Sequence, residues 1–153
     1  MGMLVAPHTF MAHADPDIGQ PLPRLDIALI DGTIISGREL QEKVVIYLFW
    51  ATWCPICIGE MKNYQALRNE YKESGLEVLA LSLDQDPGEV RKFLSHNRYD
   101  IPMAMRSDAF RQAFGDIRGT PTLFIVDRRG IVRFKHLGAI SPKDLGRIVE
   151  KLL

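Results

Sequence analysis

Two short apolar segments dominate the hydrophobic pattern of the chain, and both predict buried β-strands. Residues 44–50 form an uninterrupted run rich in β-branched and aromatic side chains, and residues 76–83 form the second segment. Between them, residues 55–73 carry apolar side chains at the spacing of one helix face, namely Cys57, Met61, Tyr64, Leu67 and Tyr71. This strand–helix–strand order predicts a parallel pair of strands with a right-handed crossover.

Weaker patterns before this unit predict a hairpin and a short helix. Apolar residues in 25–30 and 33–35 flank Asp31-Gly32, a dipeptide that favours a β-hairpin. Ser36, with Glu39 three residues later, predicts a capping box and a short helix reaching about residue 41.

After the second buried strand, the pattern alternates between short helices and strands. The predicted elements are a helix over 87–96, a short strand over 102–105, a short helix over 107–114, a hairpin of strands 122–127 and 131–137, and a last helix from Ser141. Strands joined by a tight turn are antiparallel, whereas the earlier pair is parallel. The sequence therefore predicts a mixed sheet with helices on both faces.

Composition narrows the class of protein. The chain has 153 residues, 46% hydrophobic and 25% charged, which is typical of one globular domain. Its formal net charge is zero, and nothing in it indicates a nucleic-acid or anionic-membrane partner. The longest apolar stretch, residues 44–51, is too short to span a bilayer.

The N-terminal stretch lacks periodicity, and we predict that residues 1–18 form an irregular leader before a domain over 19–153. Ala12-His13-Ala14 resembles a small-residue cleavage site, but no basic region precedes it. Two interpretations remain open, the trimmed remnant of an export signal and an ordinary loose N-terminus.

The only two cysteines, Cys54 and Cys57, follow the first buried strand at the predicted start of a helix. Unpaired N–H groups and the helix dipole favour a negative charge there, so we expect Cys54 to be the reactive thiolate at the exposed mouth of the turn. Cys57 begins the inward helix face and can resolve a mixed disulfide on Cys54. Pro55 suits the first helical turn.

Other uses of a cysteine pair fit less well. A structural zinc site needs four ligands, and the chain has neither a second pair nor a closely spaced histidine pair. A c-type haem site needs histidine after the second cysteine, where Ile58 stands. A purely structural disulfide would close a four-residue loop and restrict the unfolded chain little. Thiol redox chemistry is therefore the favoured interpretation.

The chain resembles thioredoxin-fold proteins, and more narrowly the TlpA/ResA/DsbE group, over residues 19–153. The matching positions are Gly19-Gln20-Pro21-Leu22-Pro23, the run from Phe49 to Cys57, Glu60, Asp86-Pro87, and Gly119-Thr120-Pro121-Thr122 with the strand after it. The resemblance implies an α/β thioredoxin fold with a mixed central sheet, an N-terminal β-hairpin and a central insertion around residues 84–105. It implies a thiol–disulfide oxidoreductase with no cofactor beyond its own redox-active disulfide.

The resemblance also implies roles for residues outside the cysteine pair. Thioredoxin has a buried aspartate where this chain has Leu48, whereas the TlpA/ResA/DsbE group has a glutamate three residues after the second cysteine, which matches Glu60. We therefore assign Glu60 as proton acceptor for Cys57, one helical turn away. Pro121 matches a cis proline opposite the cysteines, and the Thr120 backbone would then pair with an extended substrate.

Side chains near the cysteines complete the predicted site. Trp53 and Pro55, beside Cys54, are expected to contact substrate together with Thr120 and Pro121, whereas Trp50 ends the buried strand and belongs to the core. Met103 and Met105 are predicted as core residues rather than metal ligands, and Arg128-Arg129 as a solvated turn.

The dipeptide Pro55-Ile56 offers no cation or histidine to stabilise the Cys54 thiolate further, so we predict a reductant or mild exchanger rather than a strong oxidant. Its expected partners are a disulfide-bonded or thiol protein and an upstream electron donor, and we expect a monomer. The resemblance implies a periplasmic or other extracytoplasmic location, often with a membrane tether and a role in cytochrome c maturation. The sequence alone leaves the cytoplasm open, because the motif works in both compartments.

The alternative from another class is a copper-binding, metal-delivery module. Copper-delivery proteins share this fold, and soft thiolates hold Cu(I). The distant histidine of such a site would be His96 or His136. A peroxiredoxin-like peroxidase is disfavoured, because its cysteine lies in a different helix-start motif and no third cysteine exists here.

Overall fold

The structure is a computed structural model, and it describes residues 16–153. Most of the predicted leader, including Ala12-His13-Ala14, lies outside the described residues. The helices are α1 (Pro55–Tyr71), α2 (Pro87–His96), α3 (Asp108–Phe114) and α4 (Pro142–Leu152). The strands are β1 (Ile27–Ala28), β2 (Ile34–Ile35), β3 (Val44–Trp50), β4 (Leu76–Ser82), β5 (Met103–Met105), β6 (Thr122–Val126) and β7 (Val132–Leu137).

Five strands form one mixed sheet in the order β5-β4-β3-β6-β7. β3, β4 and β5 are parallel, and β6 and β7 are antiparallel to their neighbours. β1 and β2 form a separate antiparallel hairpin. The predicted mixed sheet, N-terminal hairpin and thioredoxin fold are thus confirmed, with α2 and β5 inserted between β4 and β6.

β3 is buried over its whole length because both faces of the sheet are covered. Its even-numbered residues pack in one core cluster with side chains of α1, α2 and α4, and its odd-numbered residues pack in a second cluster with α3 and the N-terminal segment. Burial on both faces explains the continuous apolar run that predicted this strand. Trp50 and Met103 lie in the core as expected, at 0% and 2% exposure, and Met105 is partly buried against it.

The first hairpin differs in detail from its prediction. Its strands have two residues each, because the turn already begins at Leu29, whose N–H donates to the Thr33 carbonyl. Gly32 closes that turn with φ +89°, a conformation that glycine adopts without strain. The predicted capping box is confirmed, since Ser36 and Glu39 exchange both hydrogen bonds at the start of a short 3-10 helix over Gly37–Leu40.

Arg128 and Arg129 lie in an exposed turn, as predicted, but the Arg128 side chain also connects parts of the fold. Its guanidinium donates to the carbonyls of Glu42, Ser74 and Leu153, and so joins three chain segments at the end of the sheet away from the cysteines. A Cβ at Gly75 would lie 2.8 Å from Nη1 of Arg128, and Gly75 has φ +101°. The sequence pattern could not show this contact, because its acceptors are backbone carbonyls.

Candidate active site

The cysteine turn lies at the carboxyl end of the central strand. β3 ends at Trp50, and Cys54 is the N-cap of α1, with Pro55 at the first helical position. The Cys57 N–H donates to Cys54 Sγ at 3.2 Å, so the sulfur replaces the oxygen that usually caps a helix. This N–H and the helix dipole favour negative charge on Cys54 Sγ when the pair is reduced.

Cys54 and Cys57 are joined by a disulfide, with their Cα atoms 5.3 Å apart. The expectation that Cys54 lies at an exposed mouth is too strong, since Cys54 is 6% exposed and Cys57 2%. The large side chains beside it face solvent instead, with Trp53 66% and Ile56 53% exposed. The surface around the sulfurs is therefore apolar and exposed.

The Thr120–Pro121 loop packs directly against the cysteine turn. The peptide bond before Pro121 is cis, as predicted. Cys54 Sγ lies 3.6 Å from the Thr120 carbonyl oxygen, a contact between residues 66 positions apart. The loop is held by Thr122 Oγ1, which donates to the Gly119 carbonyl at 2.7 Å. The fold thus brings the predicted substrate platform and the predicted nucleophile together.

Glu60 lies one helical turn after Cys57 and is half-buried. Its Oε1 accepts the Ile140 N–H at 2.9 Å, from the loop between β7 and α4, and its Oε2 is buried with no hydrogen-bond partner among residues 16–153. Burial, followed by the negative charge of Glu60, raises the pKa of Tyr64 well above its usual value. Leu48 is 1% exposed in the core and supplies no carboxylate from β3.

Asp84 is a buried acid beside the cysteine turn that the sequence analysis missed as a site residue. Its Oδ2 accepts the Thr52 N–H at 3.0 Å and the Ser82 hydroxyl at 2.6 Å, and its Oδ1 accepts the Thr52 hydroxyl at 2.5 Å. Thr52 is two residues before Cys54, so Asp84 holds the chain segment that leads from β3 into the cysteine turn. The available signal was position: Thr52 and Asp84 each follow the carboxyl end of one of two neighbouring parallel strands.

The histidines of the copper alternative bond elsewhere. The His96 ring lies 2.7 Å from the Lys92 carbonyl, and the His136 ring lies 2.9 Å from the Ala139 carbonyl. Across residues 16–153, no group of three histidine, cysteine or acidic side chains could hold a metal ion. Within the same residues, no helix has the length and apolar character needed to cross a membrane.

Comparison with known proteins gives a consistent family. The AhpC/TSA family matches residues 18–135. The thiol–disulfide oxidoreductase ResA of Bacillus cereus is 30% identical over 137 residues, which cover 88% of this chain and 78% of ResA. The thioredoxin-like protein YneN of Bacillus subtilis is 27% identical over 130 residues, which cover 83% of this chain and 75% of YneN.

A solved structure agrees with these sequence relatives. The crystal structure of a thiol:disulfide interchange protein of the thioredoxin family from Chlorobium tepidum TLS superposes with a TM-score of 0.81 at 27% identity, and the match covers 91% of this chain and 99% of that one. The sequence and structure matches thus both lead to proteins named for disulfide chemistry, and they do not favour metal delivery.

Proposed function

The chain belongs to the AhpC/TSA family and is a thiol–disulfide oxidoreductase, and we propose that it acts as a reductant of protein disulfides. Its partners are thiol or disulfide proteins, in line with its relatives. The observation that carries the proposal is the position of Cys54 Sγ, between the Cys57 N–H in the first turn of α1 and the Thr120 carbonyl. A nucleophile and a backbone edge for the incoming chain thus lie side by side.

The proposed reaction has two exchange steps. The Cys54 thiolate attacks one sulfur of the substrate disulfide, expels the other as a thiolate and forms a mixed disulfide. Cys57 then attacks Cys54 Sγ, which restores the intramolecular disulfide and releases the second substrate thiol. Two electrons pass from the cysteine pair to the substrate. Glu60 accepts the proton that Cys57 loses, and its unpartnered Oε2 is the oxygen open to receive it.

The proposed substrate surface surrounds Cys54. Trp53 offers an exposed apolar side chain, and Pro55 is exposed at the helix start. Thr120 is half-buried, and with Pro121 it presents backbone next to the sulfur. An extended substrate segment can pair with that backbone while its cystine meets Cys54.

We propose that the pair is reducing because Pro55-Ile56 adds no charge that would stabilise the thiolate of Cys54. The protein then needs an upstream thiol donor but no bound cofactor, and it works as a monomer without nucleic acid. An extracytoplasmic site of action and a role in cytochrome c maturation follow from the resemblance to the ResA and DsbE proteins.

Trapping and redox titration test this function. Reduced Cys57→Ser should accumulate a mixed disulfide on Cys54 with a disulfide-bonded protein substrate, and Cys54→Ser should not. Equilibration with glutathione and dithiothreitol should give a potential within roughly 50 mV of about −270 mV. A potential near about −120 mV, which is typical of strong oxidants, would overturn the reductant assignment. Trapping chiefly through Cys57 would overturn the assignment of the nucleophile.

A further inference from the structure

A pocket of about 490 Å³ lies at the carboxyl ends of β4 and β5. Its walls include Asp84 and Gln85 from the segment after β4, and Arg106 and Arg111 from the segment after β5 and from α3. In α/β sheets, ligands bind preferentially at this end of the strands. The reaction described above does not use this pocket.

The two arginines outnumber the single acid in the pocket wall, so the lining carries a net positive charge. Neither guanidinium makes a hydrogen bond or an ion pair with any residue in the range 16–153. Asp84, the acid in the wall, already accepts three hydrogen bonds from Thr52 and Ser82. Burial, followed by the positive charge of Arg111, lowers the pKa of Arg106, and the negative charge of Asp116 opposes this only in part. An anion bound near both arginines would be favoured by the positive charge of each.

The pocket is close to the redox site. Trp50, Ser82 and Met105 are aligned across β3, β4 and β5. Neighbouring strands are about 4.8 Å apart, so the end of β5 lies roughly 10 Å from the end of β3, where the cysteine turn begins. Asp84 lines the pocket and also holds Thr52. A group bound at the arginines would therefore lie beside a substrate docked on Cys54.

We propose that Arg106 and Arg111 bind an oxyanion, a carboxylate or a phosphate group, in this pocket. A guanidinium pair recognises such groups through charge-assisted, forked hydrogen bonds. The oxyanion arrives either free in solution or as part of the disulfide substrate. The second source rests on the proposed reductase function, whereas the first does not.

Titration of the oxidised protein with inorganic phosphate at constant ionic strength tests the site itself. Saturable amide shifts in the NMR spectrum should cluster around Arg106, Arg111 and residues 82–85. Arg106→Gln and Arg111→Gln should each weaken binding at least about tenfold. The matched control is Arg118→Gln, which removes one arginine outside the pocket and should leave binding unchanged. Shifts that do not saturate, or that all three variants weaken equally, would overturn the proposal.

Two chromogenic disulfides identify the source of the oxyanion. The reduced protein is mixed with 5,5′-dithiobis(2-nitrobenzoate), which carries carboxylates, and with neutral 4,4′-dithiodipyridine. If the substrate supplies the anion, Arg106→Gln should lower the ratio of the two rates at least about fivefold, and phosphate should inhibit only the first reaction. If Arg106→Gln loses phosphate binding but leaves the ratio of the two rates unchanged, the site binds a free anion and not part of the substrate. A wild-type protein that reduces neither compound would count against the reductase function and leave the phosphate result standing.

Discussion

Replacing Glu60 by glutamine tests how the second exchange step is assisted. Glutamine keeps the size of the side chain and an oxygen that can accept the Ile140 N–H, which Glu60 Oε1 accepts at 2.9 Å. It removes Oε2 as the proposed proton acceptor, an oxygen that is buried and has no hydrogen-bond partner among the described residues. The substitution therefore separates proton transfer from the anchoring of the loop after β7, and we expect little change in the free energy of unfolding.

The size of the effect follows from thiol ionisation. An ordinary thiol, with a pKa of about 8.5, is only about 3% ionised at pH 7, so full assistance could speed the attack of Cys57 by at most about 30-fold. Because Oε1 is already bonded to Ile140, only Oε2 can act. We expect Glu60→Gln to slow resolution about tenfold at pH 7, or roughly 1.4 kcal/mol. The defect should shrink below about twofold at pH 9, where most ordinary thiols ionise unaided.

The assay is single-turnover reduction of a peptide disulfide by rapid mixing, with the release of the first and second substrate thiols followed separately from pH 5 to pH 9. Glu70→Gln is the matched control, since Glu70 is an exposed glutamate on the same helix and lies far along it from Cys57. Only the second release should slow in Glu60→Gln. Superimposable pH profiles for wild type and Glu60→Gln would refute a role for Glu60 as proton acceptor. An equal defect in Glu70→Gln would show that the helix charge matters and not the position.

Three further substitutions have defined outcomes. Asp84→Ala should lower the free energy of unfolding by about 2–4 kcal/mol, because the Thr52 and Ser82 donors lose their buried acceptor, and urea denaturation will measure this. Trp53→Ala should raise KM for a protein disulfide several-fold but leave the rate with dithiodipyridine nearly unchanged, as steady-state assays of both will show. Although burial opposes them, hydrogen bonds from Ile131, Arg133 and Arg129 together lower the pKa of Asp127. The contribution of ionised Asp127 to the free energy of unfolding is therefore complete above the unfolded pKa of about 3.9, and it is lost as pH falls through the lower folded pKa. Asp127→Asn should cost about 1–2 kcal/mol at pH 7 and approach wild type as pH falls through that lowered pKa, which thermal melts across pH will check.

Much of the fold could be predicted from the sequence because its elements carry strong local signals. The limits of β3 and α2 agree with their predictions. β3 is a continuous apolar run, and α2 begins with Pro87 directly after its N-cap residue Asp86. The first hairpin was less predictable, because its turn is longer than the Asp-Gly dipeptide suggests. The inward position of Cys57, the exposed position of Trp53 and the cis bond at Pro121 agree with the predictions, whereas the low exposure of Cys54 does not.

The unpredicted contacts share a physical cause, namely that they join residues distant in sequence through polar atoms. Arg128 binds backbone carbonyls up to 86 residues away, and Asp84 bonds Thr52 across 32 residues. Hydrophobic periodicity reports which face of an element is buried but carries no information on such bonds. The low exposure of Cys54 is a similar case, since it depends on the Thr120 loop, 66 residues away in sequence, packing over the cysteine turn.

The bonds of Asp84 to Thr52 separate two parts of the redox motif, namely the turn before Cys54 and the dipeptide between the cysteines, and each part can vary without the other. The position of the turn is set from outside it, by the neighbouring strand, through Ser82 and Asp84. The two residues between the cysteines differ from Thr52 in this respect. Pro55 has no N–H to donate, and the apolar side chain of Ile56 faces solvent. Exchanging this dipeptide can therefore retune the redox couple without moving the turn. Grafting the motif into another thioredoxin fold should, in contrast, require residues 82–84 to be transferred with it.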